Sequence, residues 1–211
     1  MMRLIGLTGG IGTGKTTVSN YLNKTYHLPI WDADIYARKA VQPGSLILDS
    51  IIENYGTDIL LPNGNLNRQK LGEIVFNNQE ELLWLEKQIH PYVRDCFEQN
   101  IQQFVKKNNE PGYQTSDQYP TAVLVIPLLF EAKMTDLVTE IWVTYTSPQQ
   151  QIERLMKRDG LSQEQTYTRI NHQMPLENKC QQADVVLDNS STLEILLKQV
   201  DSAIAHPSSP K

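Results

Sequence analysis

Residues 9–16 of the chain read Gly-Gly-Ile-Gly-Thr-Gly-Lys-Thr and match the pattern G-x-x-x-x-G-K-[ST]. A short apolar run precedes this segment and a helical pattern follows it, so strand, glycine loop and helix are predicted in that order. Glycines let the backbone curl until successive N–H groups point at one anion, and the helix start adds partial positive charge. The segment is therefore predicted to bind phosphate groups. The competing interpretation is a glycine-rich turn with a solvated lysine.

The predicted nucleotide contacts of this loop come from the backbone and from side chains. Lys15 is predicted to reach the β- and γ-phosphates of ATP, and the hydroxyl of Thr16 is predicted to be a ligand of Mg²⁺. Thr17 is expected to line the α-phosphate side. The loop residues predicted to bind ATP are Gly10, Ile11, Gly12, Thr13, Gly14, Lys15, Thr16 and Thr17.

Short apolar runs bounded by turn or charged residues predict buried strands. They lie at Arg3–Thr8, Leu28–Trp31, Ala122–Ile126, Glu140–Tyr145 and Ala183–Leu187. Because helical patterns separate these runs, we predict an α/β fold with a doubly wound, five-stranded parallel sheet of the P-loop NTPase type. Roughly ninety residues separate the second run from the third, far more than a crossover helix needs. An inserted, mainly helical lobe is therefore predicted.

The predicted domain organisation follows from these elements. The nucleotide-binding core is placed at 1–32, 120–148 and 183–204. A helical lobe that would bind the acceptor of a phosphoryl group is placed at 33–119, and a helical lid at 149–182. An apolar stripe in the lobe is interrupted at His90-Pro91, where the proline opens a second helix or kinks the first. The polar segment 108–121 is predicted to be an exposed loop, and residues 205–211 a disordered tail.

The net charge of −5 argues against a general attraction to nucleic acid, so no nucleic-acid partner is expected. The first residues reach glycines before an apolar stretch long enough for a signal peptide or membrane span develops. A cytoplasmic protein without a membrane partner is therefore expected, as a monomer or a weak homo-oligomer.

Asp32 ends the second predicted strand, where the carboxyl ends of parallel strands surround the ligand crevice. Its carboxylate suits a base that accepts a proton from an attacking hydroxyl, but an aspartate here also suits the N-cap of the next helix. Asp34 also has two interpretations, an acceptor contact or a helix cap. Arg38, one turn later, either contacts anionic groups of the acceptor or pairs with Asp34.

Several segments together are similar to the dephospho-CoA kinase family, and the similarity covers nearly the whole chain. In addition to the loop, it rests on Asp32-Ala33-Asp34 with Ala37-Arg38, on His90-Pro91, and on Pro127-Leu128-Leu129-Phe130-Glu131. It continues at 151–159, Arg169-Ile170 with Gln173, Lys179, Ala183-Asp184 and Asp188-Asn189. The resemblance implies a nucleotide-binding core, an acceptor lobe and a mobile lid, with ATP and dephospho-CoA as substrates.

The resemblance also implies roles for individual residues. Asp32 would be the base, while Arg38, His90 and the turn with Pro127 and Leu128 would lie near the acceptor. His90 has the alternative interpretation of an ordinary histidine before a proline. One departure is Val125, because many family members carry an acidic residue immediately before the apolar residue and proline of this turn. No metal ligand other than Thr16 is assigned.

Arg154 and Arg158 lie four residues apart on a predicted lid helix and share one face. With the resemblance, this spacing predicts a phosphate clamp that excludes water when the lid closes, and Arg169 on the next segment is assigned to the acceptor. The alternative is a solvated charged face. Asn189, after the last strand, is predicted to hold adenine or, alternatively, to form part of a plain turn.

Two other functions share the predicted core. A kinase for another small hydroxyl compound would have the same core and lid and a different acceptor lobe. A nucleotide-gated switch or ATPase would bind nucleotide without a phosphorylated product. A GTPase would show Asn-Lys-x-Asp, and the nearest match, Asn178-Lys179-Cys180-Gln181, has glutamine in place of the aspartate.

Overall fold

The computed structural model describes residues 2–110 and 119–207. The chain divides into two compact units, one formed by Met1–Asp32 with Phe104–Lys211 and the other by Ala33–Gln103. In chain order, the strands are β1 Arg3–Gly9, β2 Ile30–Asp32, β3 Thr121–Val125, β4 Glu140–Tyr145 and β5 Val185–Asp188. The α-helices are α1 Lys15–Tyr26, α2 Ala33–Ala40, α3 Leu46–Tyr55, α4 Arg68–Asn77, α5 Gln79–Asn108, α6 Pro148–Asp159, α7 Gln163–Asn171, α8 Leu176–Gln181 and α9 Leu193–Ala205.

The larger unit is built on a five-stranded sheet in the order β2-β3-β1-β4-β5. Every neighbouring pair of strands is parallel. β1 lies at the centre and all its residues are buried, as expected for a parallel strand covered on both faces. The predicted α/β fold and parallel sheet are confirmed. The structure adds that β3 separates β2 from β1.

The apolar core of this unit joins the sheet to α1 and α9. It comprises Ile5, Leu7, Val18, Leu22, Leu28, Val123, Val125, Trp142, Leu187, Leu196, Val200 and Ala203. Trp142 is completely buried, and its indole N–H donates a 2.8 Å hydrogen bond to Glu140 Oε1, so this polar atom is satisfied. Since β1 and α1 both contribute to this core, the loop between them has a fixed start and a fixed end.

The smaller unit, Ala33–Gln103, is helical and has its own apolar core. The buried members of that core are Ala40, Val41, Leu48, Ile51, Ile59, Leu66, Leu71 and Val75. The rings of Tyr55 and Trp84 pack edge to face with centroids 5.5 Å apart. α5 is continuous through Pro91, so the alternative of a second helix opening at this proline is wrong.

The unit boundary and the chain end can be compared with the prediction only in part. The predicted lobe and the smaller unit both begin at residue 33, but the unit ends at Gln103, and Phe104 packs on Trp31 of the larger unit with ring centroids 5.8 Å apart. Most of the predicted loop 108–121 and the last residues of the predicted tail 205–211 lie outside the described residues. None of the helices in the described ranges combines the length and apolar character needed to cross a bilayer.

Candidate active site

The loop between β1 and α1 has the curled backbone that its glycines predict. Gly9, Gly12 and Gly14 have φ values of +141°, +79° and +108°, a region that favours glycine. At Gly9 a Cβ atom would come within 2.5 Å of the Thr144 carbonyl oxygen, so a side chain has no room there. No side-chain hydrogen bond caps the start of α1 at Gly14, which suits a helix N-terminus that binds an anion.

Hydrogen bonds inside the larger unit hold this loop in shape. The hydroxyl of Thr13, which is completely buried, donates to the Gly10 carbonyl at 2.8 Å and lies 2.7 Å from Thr144 Oγ1. Nζ of Lys15 donates to the carbonyls of Gly9 and Gly10 at 2.9 and 2.8 Å. The ammonium group therefore lies at the loop itself, where a phosphate chain would meet it.

Two glutamine side chains bracket the peptide groups of Ile11. Nε2 of Gln151, on α6, donates to the Ile11 carbonyl at 2.7 Å. The Ile11 N–H in turn donates to Oε1 of Gln173 at 2.9 Å. Gln151 lies near the start of the predicted lid, 149–182, and Gln173 lies in its later part, between α7 and α8. Two separate parts of this segment therefore contact the same residue of the loop.

Asp32 ends β2 at the carboxyl edge of the sheet. The strand register places Asp32 opposite Val125 of β3, and Val125 opposite Leu7 of β1. With a strand spacing of about 4.8 Å, the Cα atoms of Asp32 and Leu7 lie roughly 10 Å apart. The carboxylate is thus at the same sheet edge as the loop, but on the second strand away from it.

The three arginines of the predicted lid fall into two groups. Nη2 of Arg154 donates a 2.8 Å hydrogen bond to the Asn189 carbonyl. Arg158 and Arg169 both contact the Asp159 carboxylate, with Nε of Arg158 at 2.7 Å and Nη1 of Arg169 at 3.4 Å. The hydrogen bond from Arg158 is the main reason that the pKa of Asp159 lies below its usual value. The phosphate clamp of Arg154 and Arg158 and the assignment of Arg169 to the acceptor stay predictions.

Asn189 connects the end of β5 to the glycine loop. Its side-chain Nδ2 donates to the Thr13 carbonyl at 2.9 Å, and its main-chain N–H donates to the Tyr145 carbonyl at 2.8 Å. The predicted nucleotide residue Asn189 therefore lies directly beside the loop.

Comparison with known proteins identifies the family. The family model for dephospho-CoA kinase matches residues 3–194. The chain is 60% identical over 202 residues to a dephospho-CoA kinase of Trichormus variabilis, with 96% of each chain covered. It is 57% identical over 202 residues to one of a Nostoc species, again with 96% of each covered. The chain belongs to the dephospho-CoA kinase family.

A solved structure supports the same family assignment. The dephospho-CoA kinase from Campylobacter jejuni superimposes with a TM-score of 0.69 at 27% identity, covering 97% of this chain and 96% of that one. The family resemblance predicted from the sequence is confirmed, and so is the prediction that the chain is an enzyme, a kinase.

The residues predicted to contact the acceptor are divided between the two units of the chain. Asp34 is in the first turn of α2 and Arg38 in its last turn, both exposed, while His90 is half-buried within α5. Pro127 and Leu128 follow β3 in the larger unit, and the Thr8 hydroxyl donates to the Pro127 carbonyl at 3.2 Å. Asp34, Arg38 and His90 therefore belong to the helical unit, and the proline turn to the sheet unit.

Val125, the departure from the dephospho-CoA kinase pattern, is part of the apolar core. The residue is 4% exposed, and its Cα lies in register between those of Asp32 and Leu7. Among the described residues there is no cluster of three or more His, Cys, Asp or Glu side chains able to hold a metal ion. Thr16 is exposed in the first turn of α1 and stays the one residue assigned to a metal.

The sequence did not assign four residues that the structure brings to this site. Gln151 and Gln173 hold Ile11, as described above. Lys179 of α8 and Glu131, after β3, form an ion pair of 2.8 Å next to the Pro127 carbonyl. Gln173, Lys179 and Glu131 stood in family-like segments, but spacing gave none of them a partner. Gln151 carried no signal beyond its place in such a segment.

A second arginine lies next to Arg38. Nη2 of Arg68, the first residue of α4, donates to the Arg38 carbonyl at 3.2 Å. Burial first, and then the positive charge of Arg38, lower the pKa of Arg68. Two neighbouring cations in one helical unit form a place suited to an anionic group.

Proposed function

We propose that the protein transfers the γ-phosphoryl group of ATP to the ribose 3′-hydroxyl of dephospho-coenzyme A, giving coenzyme A and ADP. The observation that carries this proposal is the match of the dephospho-CoA kinase family to residues 3–194. The curled loop at residues 9–16, between a central strand and a helix, supports it because that geometry suits a triphosphate.

The loop would hold the nucleotide by its backbone and by Lys15. The first-turn N–H groups of α1 offer donors to the phosphate oxygens, and Nζ of Lys15 can exchange its bonds to the Gly9 and Gly10 carbonyls for bonds to the β- and γ-phosphates. Asn189 is proposed to contact the adenine side. Its attachment to Thr13 supports this role, since it lies next to the loop.

Asp32 is proposed to be the base. Its carboxylate would accept the proton of the acceptor hydroxyl while that oxygen bonds to the γ-phosphorus and the bond from the γ-phosphorus to the β,γ-bridging oxygen breaks. The phosphoryl group thus moves to the acceptor, ADP leaves, and the proton stays on Asp32 until solvent removes it. The position of Asp32 at the carboxyl edge of the sheet supports the assignment.

The residues present fit a magnesium ion that arrives with ATP. Mg²⁺ keeps several waters and takes few protein ligands, which agrees with an exposed Thr16 hydroxyl and no carboxylate cluster among the described residues. Thr16 Oγ1 is the ligand we assign. Bound there, the ion would neutralise negative charge on the transferring phosphoryl group.

Six residues are proposed to contact the acceptor, as the family resemblance implies. They are Asp34, Arg38, His90, Pro127, Leu128 and Arg169. The cations Arg38 and Arg68 support a contact to phosphate groups of the acceptor. Arg154 and Arg158 are proposed to bind phosphate oxygens of ATP when the lid closes.

The cytoplasmic location, the monomeric or weakly associated state and the absence of nucleic-acid partners stay predictions. The test of the proposed function is an acceptor panel. Purified protein is incubated with Mg-ATP and, separately, dephospho-coenzyme A, a nucleoside monophosphate and shikimate, and the products are separated by liquid chromatography. We expect coenzyme A from the first acceptor alone. Phosphorylation of another acceptor without coenzyme A formation would reject the proposal.

A further inference from the structure

A buried ion pair joins α8 to the turn that follows β3. Nζ of Lys179 lies 2.8 Å from Oε1 of Glu131, and the lysine side chain is 0% exposed while that of Glu131 is 22% exposed. The same ammonium group donates a 3.0 Å hydrogen bond to the Pro127 carbonyl. The positive charge of Lys179 therefore contacts the turn at both of its ends.

The partners of this ion pair extend to two other parts of the site. The Pro127 carbonyl also accepts a 3.2 Å hydrogen bond from the hydroxyl of Thr8, the residue before the glycine loop. Oε1 of Glu131 also accepts a 2.8 Å hydrogen bond from the N–H of Met174. Met174 follows Gln173, which contacts Ile11 of the loop. The ion pair thus connects the start of the glycine loop, the proline turn and the part of the lid segment between α7 and α8.

Stability alone does not explain a charged pair at this position. Moving two charges out of water is costly, and apolar side chains of similar size often hold buried elements together equally well. Oε2 of Glu131 is buried without a hydrogen-bond partner among the described residues, which adds to the cost. The pair instead orients the main chain around it, because each of its hydrogen bonds to the main chain holds one specific backbone group.

We propose that Lys179 and Glu131 are positioning residues for the phosphoryl transfer. Lys179 holds the Pro127 carbonyl in place relative to the end of β1, and so orients the turn with Pro127 and Leu128. Glu131 holds the Met174 peptide, and so fixes the connection between α7 and α8 in the lid segment. The inference rests on the proposed function, since the turn influences turnover only if the acceptor binds against it. Displacement of a reacting group by about 1 Å can cost roughly 100-fold in rate.

The test is a double variant, Lys179→Met with Glu131→Gln. Both charges are removed together, so neither is left alone in a buried place. The measurements are kcat, the KM for dephospho-coenzyme A, the Kd for ATP by titration, and the midpoint of thermal unfolding. We expect kcat divided by the acceptor KM to fall about tenfold or more, with the ATP Kd changed less than about threefold.

The matched control is the other buried ion pair that the structure describes, Arg3 with Glu140. Nε of Arg3 lies 2.8 Å from Oε2 of Glu140, and the two side chains are 9% and 3% exposed. Both residues begin their strands, at the edge of the sheet opposite the glycine loop. Arg3→Gln with Glu140→Gln is expected to lower the unfolding midpoint while the kinetic constants of the folded protein stay within about twofold.

The outcomes separate this inference from the proposed function. If the unmodified protein makes no coenzyme A, the proposed function fails. If it does, the inference is overturned when the folded Lys179→Met, Glu131→Gln variant keeps kcat and the acceptor KM within about twofold of the parent. It is also overturned when the control variant loses as much of kcat divided by the acceptor KM as the double variant does. Should the double variant not fold, Glu131→Gln alone is measured in the same way, and unchanged constants overturn the inference as well.

Discussion

The guanidinium group of Arg154 donates a 2.8 Å hydrogen bond to the carbonyl oxygen of Asn189, while the side chain of Asn189 donates to the Thr13 carbonyl at 2.9 Å. A helix of the predicted lid is thereby connected to the glycine loop through one residue after β5. The arginine keeps further donors for a phosphate group, because a guanidinium has five N–H groups.

Replacing Arg154 by alanine should weaken catalysis. A lost hydrogen bond to a charged partner is worth about 1.5–3 kcal/mol, so we expect kcat/KM for ATP to fall about 10- to 100-fold. Steady-state assays at saturating dephospho-coenzyme A measure this effect. Lys157→Ala removes an exposed cation from the same helix and should stay within about twofold of the parent. Equal losses in both variants would contradict a specific role for Arg154.

Asp32→Asn should abolish most of the turnover and spare nucleotide binding. The amide keeps the size of the side chain but cannot accept the proton of the acceptor, so kcat should fall about 100-fold or more. ATP affinity, measured by titration, should change less than about threefold. Asp49→Asn, at an exposed position in the first turn of α3, is the control. Near-normal turnover of the Asp32 variant would remove this residue from the role of base.

Arg68→Ala should weaken the binding of the acceptor and leave the binding of the nucleotide unchanged. Because Arg68 lies next to Arg38 in the helical unit, its removal takes away one of two neighbouring cations. We expect the KM for dephospho-coenzyme A to rise about tenfold, as for one lost charge-assisted hydrogen bond, with the ATP KM unchanged. Lys87→Ala, an exposed cation of the same unit, is the control. A rise in the ATP KM alone would contradict the assignment.

Tyr26 gives the protein a pH-dependent contribution to stability. Burial, and then a hydrogen bond to Asp201, raise the pKa of Tyr26 from 10.0 to about 12. The neutral form is favoured in the folded protein, so its contribution is complete below pH 10.0 and is lost as the pH rises toward 12. The difference in free energy of unfolding between the parent and Tyr26→Phe should therefore shrink over this range. Urea titrations at several pH values measure it, and a constant difference would contradict the assignment.

The glycine loop, its flanking elements and the sheet were predictable because their signals are local. A strand and a helix each consist of consecutive residues, and the pattern at 9–16 predicts the backbone conformation between them. The boundaries of β1 accordingly agree with the prediction to within one residue. The parallel sheet followed from the alternation of apolar runs and helical patterns.

The remaining contacts of the site depend on strand order, which the sequence does not encode locally. β3 lies between β2 and β1, so Asp32 is separated from the loop strand by Val125. The pair of Lys179 with Glu131 joins residues 48 positions apart, since 179 minus 131 is 48, and no spacing rule connects them. Arg158 was predicted to bind phosphate and Arg169 to bind the acceptor, whereas Asp159, which contacts both, was given no role.

The most direct test of the proposed reaction follows the transferred group itself. Purified protein is incubated with Mg²⁺, dephospho-coenzyme A and ATP that carries radioactive phosphorus in its γ-phosphoryl group. We predict that the label appears in coenzyme A as a 3′-phosphate, with little released as inorganic phosphate, since the hydroxyl activated by Asp32 attacks the γ-phosphorus. Label recovered mainly as inorganic phosphate, with no labelled coenzyme A, would contradict the proposed phosphoryl transfer.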